Sequence, residues 1–326
     1  MPSSSFGKYD VEYFKCNYCK DDAQINEAEG ILGHSLECFY NHYIENHYNN
    51  LNGINEKLLS SDFNNMLSLE CVNSIKSRVK NPYHLIDKIV RKILTDTNYK
   101  ELGLDNYHLY FDDLLGFRLI MLYHEDWFDL HKAIVNIYNC DENDFTDKKN
   151  RFKLNNNAKP FIISVPEINI RNGDDDSIYK SKFSSLNGCH PIIKSGRYYR
   201  SIHYSVFHSG YCFEIQVRSV FDEAWGEIDH NLLYPSNLQN KDFIEFSKML
   251  NRITGFSNEM SSYFRNVIYN KCNSDSNQLI ATLKTVPDEL NQSYVKHNER
   301  VNAYNSEDTV SSASDVIDNI LKGEII

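Results

Sequence analysis

The sequence predicts an α/β (α+β) fold with helical extensions at both ends. Apolar residues at helical spacing fill much of the first seventy positions and recur at 127–138, 220–233 and 242–268. Strand-like runs lie between these helices at 107–123, 161–165, 199–208 and 211–218. The last two runs flank Ser209-Gly210, a pair suited to a tight hairpin turn.

Residues 1–22 read as irregular. From about Gln24 to Met66 the pattern is helical, with Leu32, Leu36, Phe39 and Tyr43 on one face. Cys71 to Leu94 reads as one or two further helices, interrupted at Asn81-Pro82. Pro82 fits a first helical turn, where its missing N–H costs nothing. Tyr107 to Tyr123 reads as strand, and Trp127 to Tyr138 as an amphipathic helix. Residues 140–195 are the least regular, with a strand at Phe161 to Val165 and a loop at R-N-G-D-D-D. Val220 to Leu233 is helical. Asp242 to Ile268 is a long amphipathic helix with Phe243, Phe246, Leu250, Ile253, Phe256, Met260 and Phe264 at helical spacing. After Cys272 the chain turns polar, with a last helix expected near Val316 to Leu321.

Composition narrows the class of protein. The chain has 326 residues, 41% of them hydrophobic, enough for a core. It lacks any run of about 18 apolar residues, and its N-terminus lacks the apolar stretch of a signal peptide. A cytoplasmic location and no membrane partner are therefore expected. Eight scattered cysteines do not form a disulfide scaffold. A net charge of −11 argues against broad nucleic-acid binding, which needs an electropositive surface.

Two strings carry the chemistry. D-L-L-G-F-R runs from Asp113 to Arg118, and F-E-I-Q-V-R from Phe213 to Arg218. Each sets one carboxylate in an apolar, strand-like stretch, where an unpaired charge is costly. Two such carboxylates on neighbouring strands suit Mg²⁺, which takes one or two carboxylates plus substrate phosphates. Each string also supplies an arginine, suited to phosphate or to stacking on a base. Metal-assisted chemistry on a nucleotide follows. Structural ion pairs with Arg78 or Arg218 are the plainer reading of the same carboxylates.

Four segments then line up in order. They are S-R-V-K-N-P-Y-H-L-I-D-K (Arg78, Lys80, Lys88), D-L-L-G-F-R (Asp113, Gly116, Arg118), Y-Y-R-S-I-H-Y (Tyr199, Ser201, His203) and E-I-Q-V-R-S (Glu214, Gln216, Arg218). The last is followed by Ala224-Trp225, His230 and Tyr234. In this order they resemble the synthetase domain of the RelA/SpoT family, the (p)ppGpp alarmone synthetases, over roughly residues 70–270. The resemblance implies a nucleotidyltransferase-like fold, a mixed sheet with helices on both sides. It divides the chain into a mainly helical extension (1–69), the synthetase domain (70–270) and a polar tail (271–326). It implies a GTP pyrophosphokinase-like enzyme that moves the β,γ-pyrophosphate of ATP to the 3′-hydroxyl of GDP or GTP.

The resemblance also implies roles. Asp113 is the magnesium aspartate, and Glu214 its acidic partner, a second metal contact or a base for the 3′-hydroxyl. Arg78 and Arg118 sandwich the adenine, and Lys80 and Lys88 meet the ATP phosphates. Tyr199 stacks on the acceptor guanine, with His203 and Gln216 near its ribose and phosphates. Two departures stand out. Arg197-Tyr198 replaces the Asn-Gly usual before the tyrosine, and His84 stands where serine is common.

Other readings of the acceptor stay open. A toxin-type enzyme acting on the 3′ end of tRNA, or on adenine nucleotides, would use the basic run Lys148, Lys149, Arg151 and Lys153. A non-catalytic nucleotide sensor would have no need of Asp113 and Glu214. An antitoxin partner or a homo-oligomer is compatible with each of these. Separately, Cys16 and Cys19 followed by His34 and Cys38 approach a zinc-finger spacing. The plainer reading is free cysteines on an aromatic helix.

Overall fold

The computed structural model describes residues 9–138, 160–171, 174, 176–184, 192–196, 198–233 and 240–271. It opens with α1 (Val11–Tyr18), α2 (Asp22–Leu32), α3 (Leu36–Tyr43), a π-helical turn at Ile44–Tyr48, α4 (Asn49–Ser60) and α5 (Asp62–Leu67). The stretch expected to be irregular thus contains α1, started by Asp10, whose carboxylate accepts the Tyr13 N–H at 3.0 Å. The pattern expected over Gln24 to Met66 is broken by Gly33. Gly33 ends α2 at φ 68°, a conformation that suits a residue without Cβ. Leu32, Leu36, Phe39 and Tyr43 are all buried, but on two helices.

Then come β1 (Ser74–Val79), α6 (Pro82–Thr95), α7 (Tyr107–Tyr110), β2 (Leu115–Met121), α8 (Trp127–Tyr138), β3 (Phe161–Ile162), β4 (Glu167–Arg171), α9 (Ser177–Ser184) and β5 (Ile192–Gly196). β6 (Ser201–His208), β7 (Tyr211–Ser219), α10 (Val220–Leu233) and α11 (Lys241–Lys271) complete the described order. Two expectations are corrected here. Ser74–Val79 is a strand, not part of a helix, because S-I-K-S-R-V alternates and pairs antiparallel with β2. Of Tyr107 to Tyr123 only 115–121 is strand. Asp112–Leu114 is a 3₁₀ turn in which Asp113 has non-helical angles (φ −99°, ψ 18°), so Asp113 stands at the mouth of the strand. α6 begins as expected, with Pro82 in its first turn and the Asn81 side chain accepting the Tyr83 N–H at 2.9 Å.

The strands form one seven-stranded mixed sheet in the order β1-β2-β7-β6-β4-β5, with β3 also pairing β6. β2 and β7 are parallel, while β1·β2 and β6·β7 are antiparallel. The hairpin turns at Ser209 (φ 51°) and Gly210 (φ 85°), the two positive φ values that match the twist of a two-residue loop. The expected mixed α/β class is therefore the one observed.

Alternation along the strands gives the sheet two unlike faces. Phe117, Leu119, Phe213, Ile215, Val217, Tyr204 and Val206 are buried on the back. Phe63 of α5 stacks on Phe117 with centroids 3.9 Å apart, and Tyr138 of α8 meets Phe213 edge-on. His131 of α8 bonds the Tyr204 hydroxyl at 2.8 Å. The N-terminal helices and the sheet thus share one core. α10 lies on the other, front face.

α11 buries a polar stripe and leaves its apolar one half-buried to exposed. Its buried positions are polar: Ser247, Asn251, Thr254 and Asn258. Phe246 and Ile253 of the apolar stripe are 46% and 56% exposed. Among the described residues no helix is long and apolar enough to cross a membrane.

Candidate active site

The front face collects the site by register. β1 presents Lys76 and Arg78, β2 presents Gly116 and Arg118, and β7 presents Glu214, Gln216 and Arg218. β6 adds Ser201, His203 and Ser205. Gly116 is paired with Arg78 on one side and Glu214 on the other, and no atom fills the space where its Cβ would be. The glycine therefore leaves the middle of the cleft open.

Asp113 lies at the rim of that opening. Lys80 Nζ reaches Asp113 Oδ2 at 2.6 Å, and Lys88 Nζ, from α6, reaches Oδ1 at 2.7 Å. Burial works against the charge, but the two lysines outweigh it and hold the carboxyl well below the usual carboxylate range. Burial also lowers the Lys80 pKa, against the pull of Asp113.

Glu214 is held by side chains of β6 and β7. His203 Nδ1 lies 2.9 Å from Glu214 Oε1, and Gln216 Nε2 donates to Oε2 at 2.6 Å. Burial would raise the Glu214 pKa, but the hydrogen bond and charge of His203 bring it to about 2. Burial opposes charge on His203 in turn, and the Tyr199 and Glu214 oxygens lift its pKa to about 9. The Tyr199 hydroxyl bonds His203 Nε2 at 2.9 Å and also accepts from Arg218. The Arg218 guanidinium lies over the Tyr199 ring, 4.9 Å from its centroid. Arg218 Nη2 also donates to Gln216 Oε1 at 2.7 Å.

Two clefts meet at Arg78 and Asp113. One, about 390 Å³, is lined also by Lys80, His84, Asp87, Lys88, Arg91 and His230. The other, about 240 Å³, is lined by Lys76, Gly116, Phe117, Arg118, Glu214, Gln216 and Glu227. The first is rich in cations and suits a polyphosphate. Every residue proposed for ATP thus borders one of these clefts, as do both carboxylates. Tyr199 and His203 join them through Glu214. The carboxylates are paired, but with Lys80, Lys88, His203 and Gln216 rather than with Arg78 or Arg218.

Several residues of the site escaped the sequence reading. Glu223, buried on α10, binds Arg118 Nη1 at 3.1 Å, Arg218 Nη1 at 3.3 Å and Lys76 Nζ at 3.0 Å. Glu227 pairs with Arg118 as well. Ser205 Oγ donates to Asp112 Oδ2 at 2.6 Å. The signal for the first two was present: Glu223 and Glu227 are one helical turn apart just after E-I-Q-V-R.

The zinc spacing is not realised. Cys16, Cys19 and Cys38 are exposed free thiols. No group of three or more His, Cys, Asp or Glu placed to hold a metal ion occurs among the described residues. The basic run Lys148 to Lys153, Arg197, Tyr234 and the helix expected near Val316 lie outside the described residues. For Mg²⁺ the donor set fits. Asp113 and Glu214 offer hard oxygens at one cleft, and the Asp113 charge acts on Glu214 across it. Two carboxylates leave the remaining positions to phosphates and water, the usual arrangement for this ion.

No curated protein sequence matches the chain significantly. Among solved structures the chain is similar to small alarmone synthetase 1 from Bacillus subtilis bound to its product pppGpp. The identity is 15% and the TM-score 0.41, over 70% of this chain and 96% of that one. It is also similar to a GTP pyrophosphokinase family protein from Streptococcus pneumoniae, at 16% identity and TM-score 0.37, over 80% of this chain and 96% of that one. The family described as "Region found in RelA / SpoT proteins" matches residues 77–239, half of the chain. Arg78, Asp113, Tyr199 and Glu214 all fall inside that match, and the chain belongs to the RelA/SpoT family.

Proposed function

We propose that this chain is an ATP-dependent pyrophosphokinase that makes (p)ppGpp from GDP or GTP. The observation that carries the reading is the position of Asp113. It stands where a cation-rich cleft meets the face that carries Glu214, so one carboxylate borders both clefts. In the reaction the acceptor 3′-oxygen attacks the β-phosphorus of ATP and its hydroxyl proton passes to solvent. The bond between that phosphorus and the α,β-bridging oxygen breaks, and AMP leaves. Such transfer is catalysed mainly by positioning and charge neutralisation.

The chain's residues divide the work. Lys80 and Lys88 turn from Asp113 to the donor phosphates, freeing the Asp113 oxygens. Asp113 and Glu214 would hold Mg²⁺, which would supply neutralisation of phosphate charge. Arg78 and Arg118 take the adenine between them, and Arg118 leaves Glu223 and Glu227 to do so. Tyr199 stacks on the guanine, with the Arg218 guanidinium beneath its ring. His203 and Gln216 orient Glu214 and reach the acceptor ribose and phosphates. A Glu214 pKa near 2 makes it a weak proton acceptor and a good ligand and orienting group.

The test is an acceptor comparison. The protein is incubated with ATP labelled in its γ-phosphate and Mg²⁺, and with GDP, GTP, adenine nucleotide or tRNA separately. Label on GDP or GTP is expected. Label confined to tRNA or to an adenine nucleotide would replace this acceptor assignment. Tight nucleotide binding without transfer would make the chain a sensor.

A further inference from the structure

The buried face of α11 is the least expected feature of the fold. A helix packed on a core turns its apolar stripe inward. Here the inward stripe is Ser247, Asn251, Thr254 and Asn258, spaced four, three and four residues apart. Buried polar side chains persist where they have partners. Trp225 Nε1 donates to the Ser247 carbonyl at 3.1 Å, and Asn258 Nδ2 donates to Asp222 Oδ1 at 3.1 Å. Asn251 differs from both. It is 5% exposed, and its Nδ2 donates to the carbonyl of Tyr198 at 2.7 Å.

That carbonyl belongs to the peptide that leads into Tyr199. The next two residues are also held. The Tyr199 hydroxyl is bound by His203 and Arg218, and Arg200 forms a fork on Asp174 Oδ2 at 3.0 and 2.8 Å. Asp174 in turn binds Arg171, whose guanidinium lies against Gly255 of α11 and leaves no room there for a Cβ. Three consecutive residues are thus pinned, and α11 supplies the first pin directly. Tyr198 carries a Cβ, so its backbone has less freedom than a glycine would have there. A backbone tether sets where the Tyr199 ring starts without touching substrate.

We propose that Asn251 is a positioning residue for the acceptor: it fixes the Tyr198 peptide from α11 and so sets the stacking platform of Tyr199. The inference rests on the acceptor role of Tyr199 given above. It makes α11 part of acceptor selection, although the helix is remote in sequence from all four motifs.

The test uses the full chain with Asn251→Ala, and Ser247→Ala as a control on the same buried stripe. With GDP or GTP, Asn251→Ala should raise the acceptor KM about tenfold while ATP KM and kcat stay within about twofold. Ser247→Ala should leave the acceptor KM within about twofold. A joint rise of both KM values in Asn251→Ala overturns the proposal. So does a Ser247→Ala variant that matches it, because the effect would then be loosening of the whole helix. Amide hydrogen exchange without substrate supplies the second readout. Residues 198–203 should exchange about tenfold faster in Asn251→Ala, with residues 258–265 unchanged. Unchanged loop exchange overturns the tether whatever the substrate. Faster loop exchange in a protein whose wild type labels no guanine nucleotide keeps the tether and overturns the acceptor assignment. If Asn251→Ala does not fold, Asn251→Ser is too short to reach the carbonyl and carries both readouts.

Discussion

Asp113 is the residue on which the proposed chemistry turns, and its surroundings support that reading. Its carboxylate holds two lysines in the free protein, both suited to receive phosphate. Asp113→Asn keeps one oxygen for a lysine, so the fold should survive. Transfer should fall by at least about 100-fold in kcat, the scale of losing one charge-stabilising group. Circular dichroism and steady-state rates read the two effects separately, and activity within tenfold of wild type would remove Asp113 from the site. Arg118→Ala should raise the ATP KM more than the acceptor KM, because the guanidinium serves the donor base. A change confined to the acceptor KM would mean the two pockets are exchanged. Tyr199→Ala should weaken the acceptor by about 1–3 kcal/mol, the usual worth of base stacking on an aromatic ring. At this scale the sequence was highly legible: Arg78, Lys80, Lys88, Asp113, Arg118, Glu214 and Gln216 stand in polar–apolar strings whose order is distinctive. Glu223 and Asn251 were not legible, because a polar residue inside a helix shows nothing of what it faces.

Elements were legible where local chemistry alone decides them. Ser209-Gly210 supplies the two positive φ values of the hairpin, and Trp127 to Tyr138 repeats its apolar positions through three turns of α8. β1 was misread because a six-residue edge strand with only Ile75 and Val79 as apolar marks is too short to show its alternation, although Lys76 and Arg78 fall on the cleft face. α11 was legible as a helix, but periodicity reports a stripe and not its destination, so its buried polar positions were not legible. One prediction belongs to α6, which carries Lys88. Asn81→Ala removes the side-chain cap on the Tyr83 N–H and should cost about 1 kcal/mol in urea unfolding. A loss below about 0.3 kcal/mol would show that Pro82 alone starts the helix.

At the scale of the whole molecule, pH should act through buried histidines. Burial pushes His47, His124 and His131 down to about 4 from the ordinary 6.5, so the folded chain keeps them neutral. The unfolded chain takes up protons at these sites as pH falls below 6.5. Their contribution to stability is therefore complete above 6.5 and lost progressively toward pH 4. His203, lifted to about 9, acts in the opposite sense, with its contribution complete below 6.5 and lost as pH rises through 9. The urea midpoint should be highest near neutrality and fall on going to pH 5. A midpoint that rises on acidification would contradict the burial of these rings. One core joins the N-terminal helices to the sheet, so this loss should appear as a single transition.

In the proposed reaction Asp113 and Glu214 serve transfer of an intact pyrophosphoryl group between two nucleotides. The most direct measurement is the nucleotide balance of one reaction containing ATP, GDP and Mg²⁺. AMP released in equal amount to GDP consumed, with both transferred phosphates at the 3′ position, is the predicted result. ADP released instead, or AMP formed at the same rate without GDP, would contradict it.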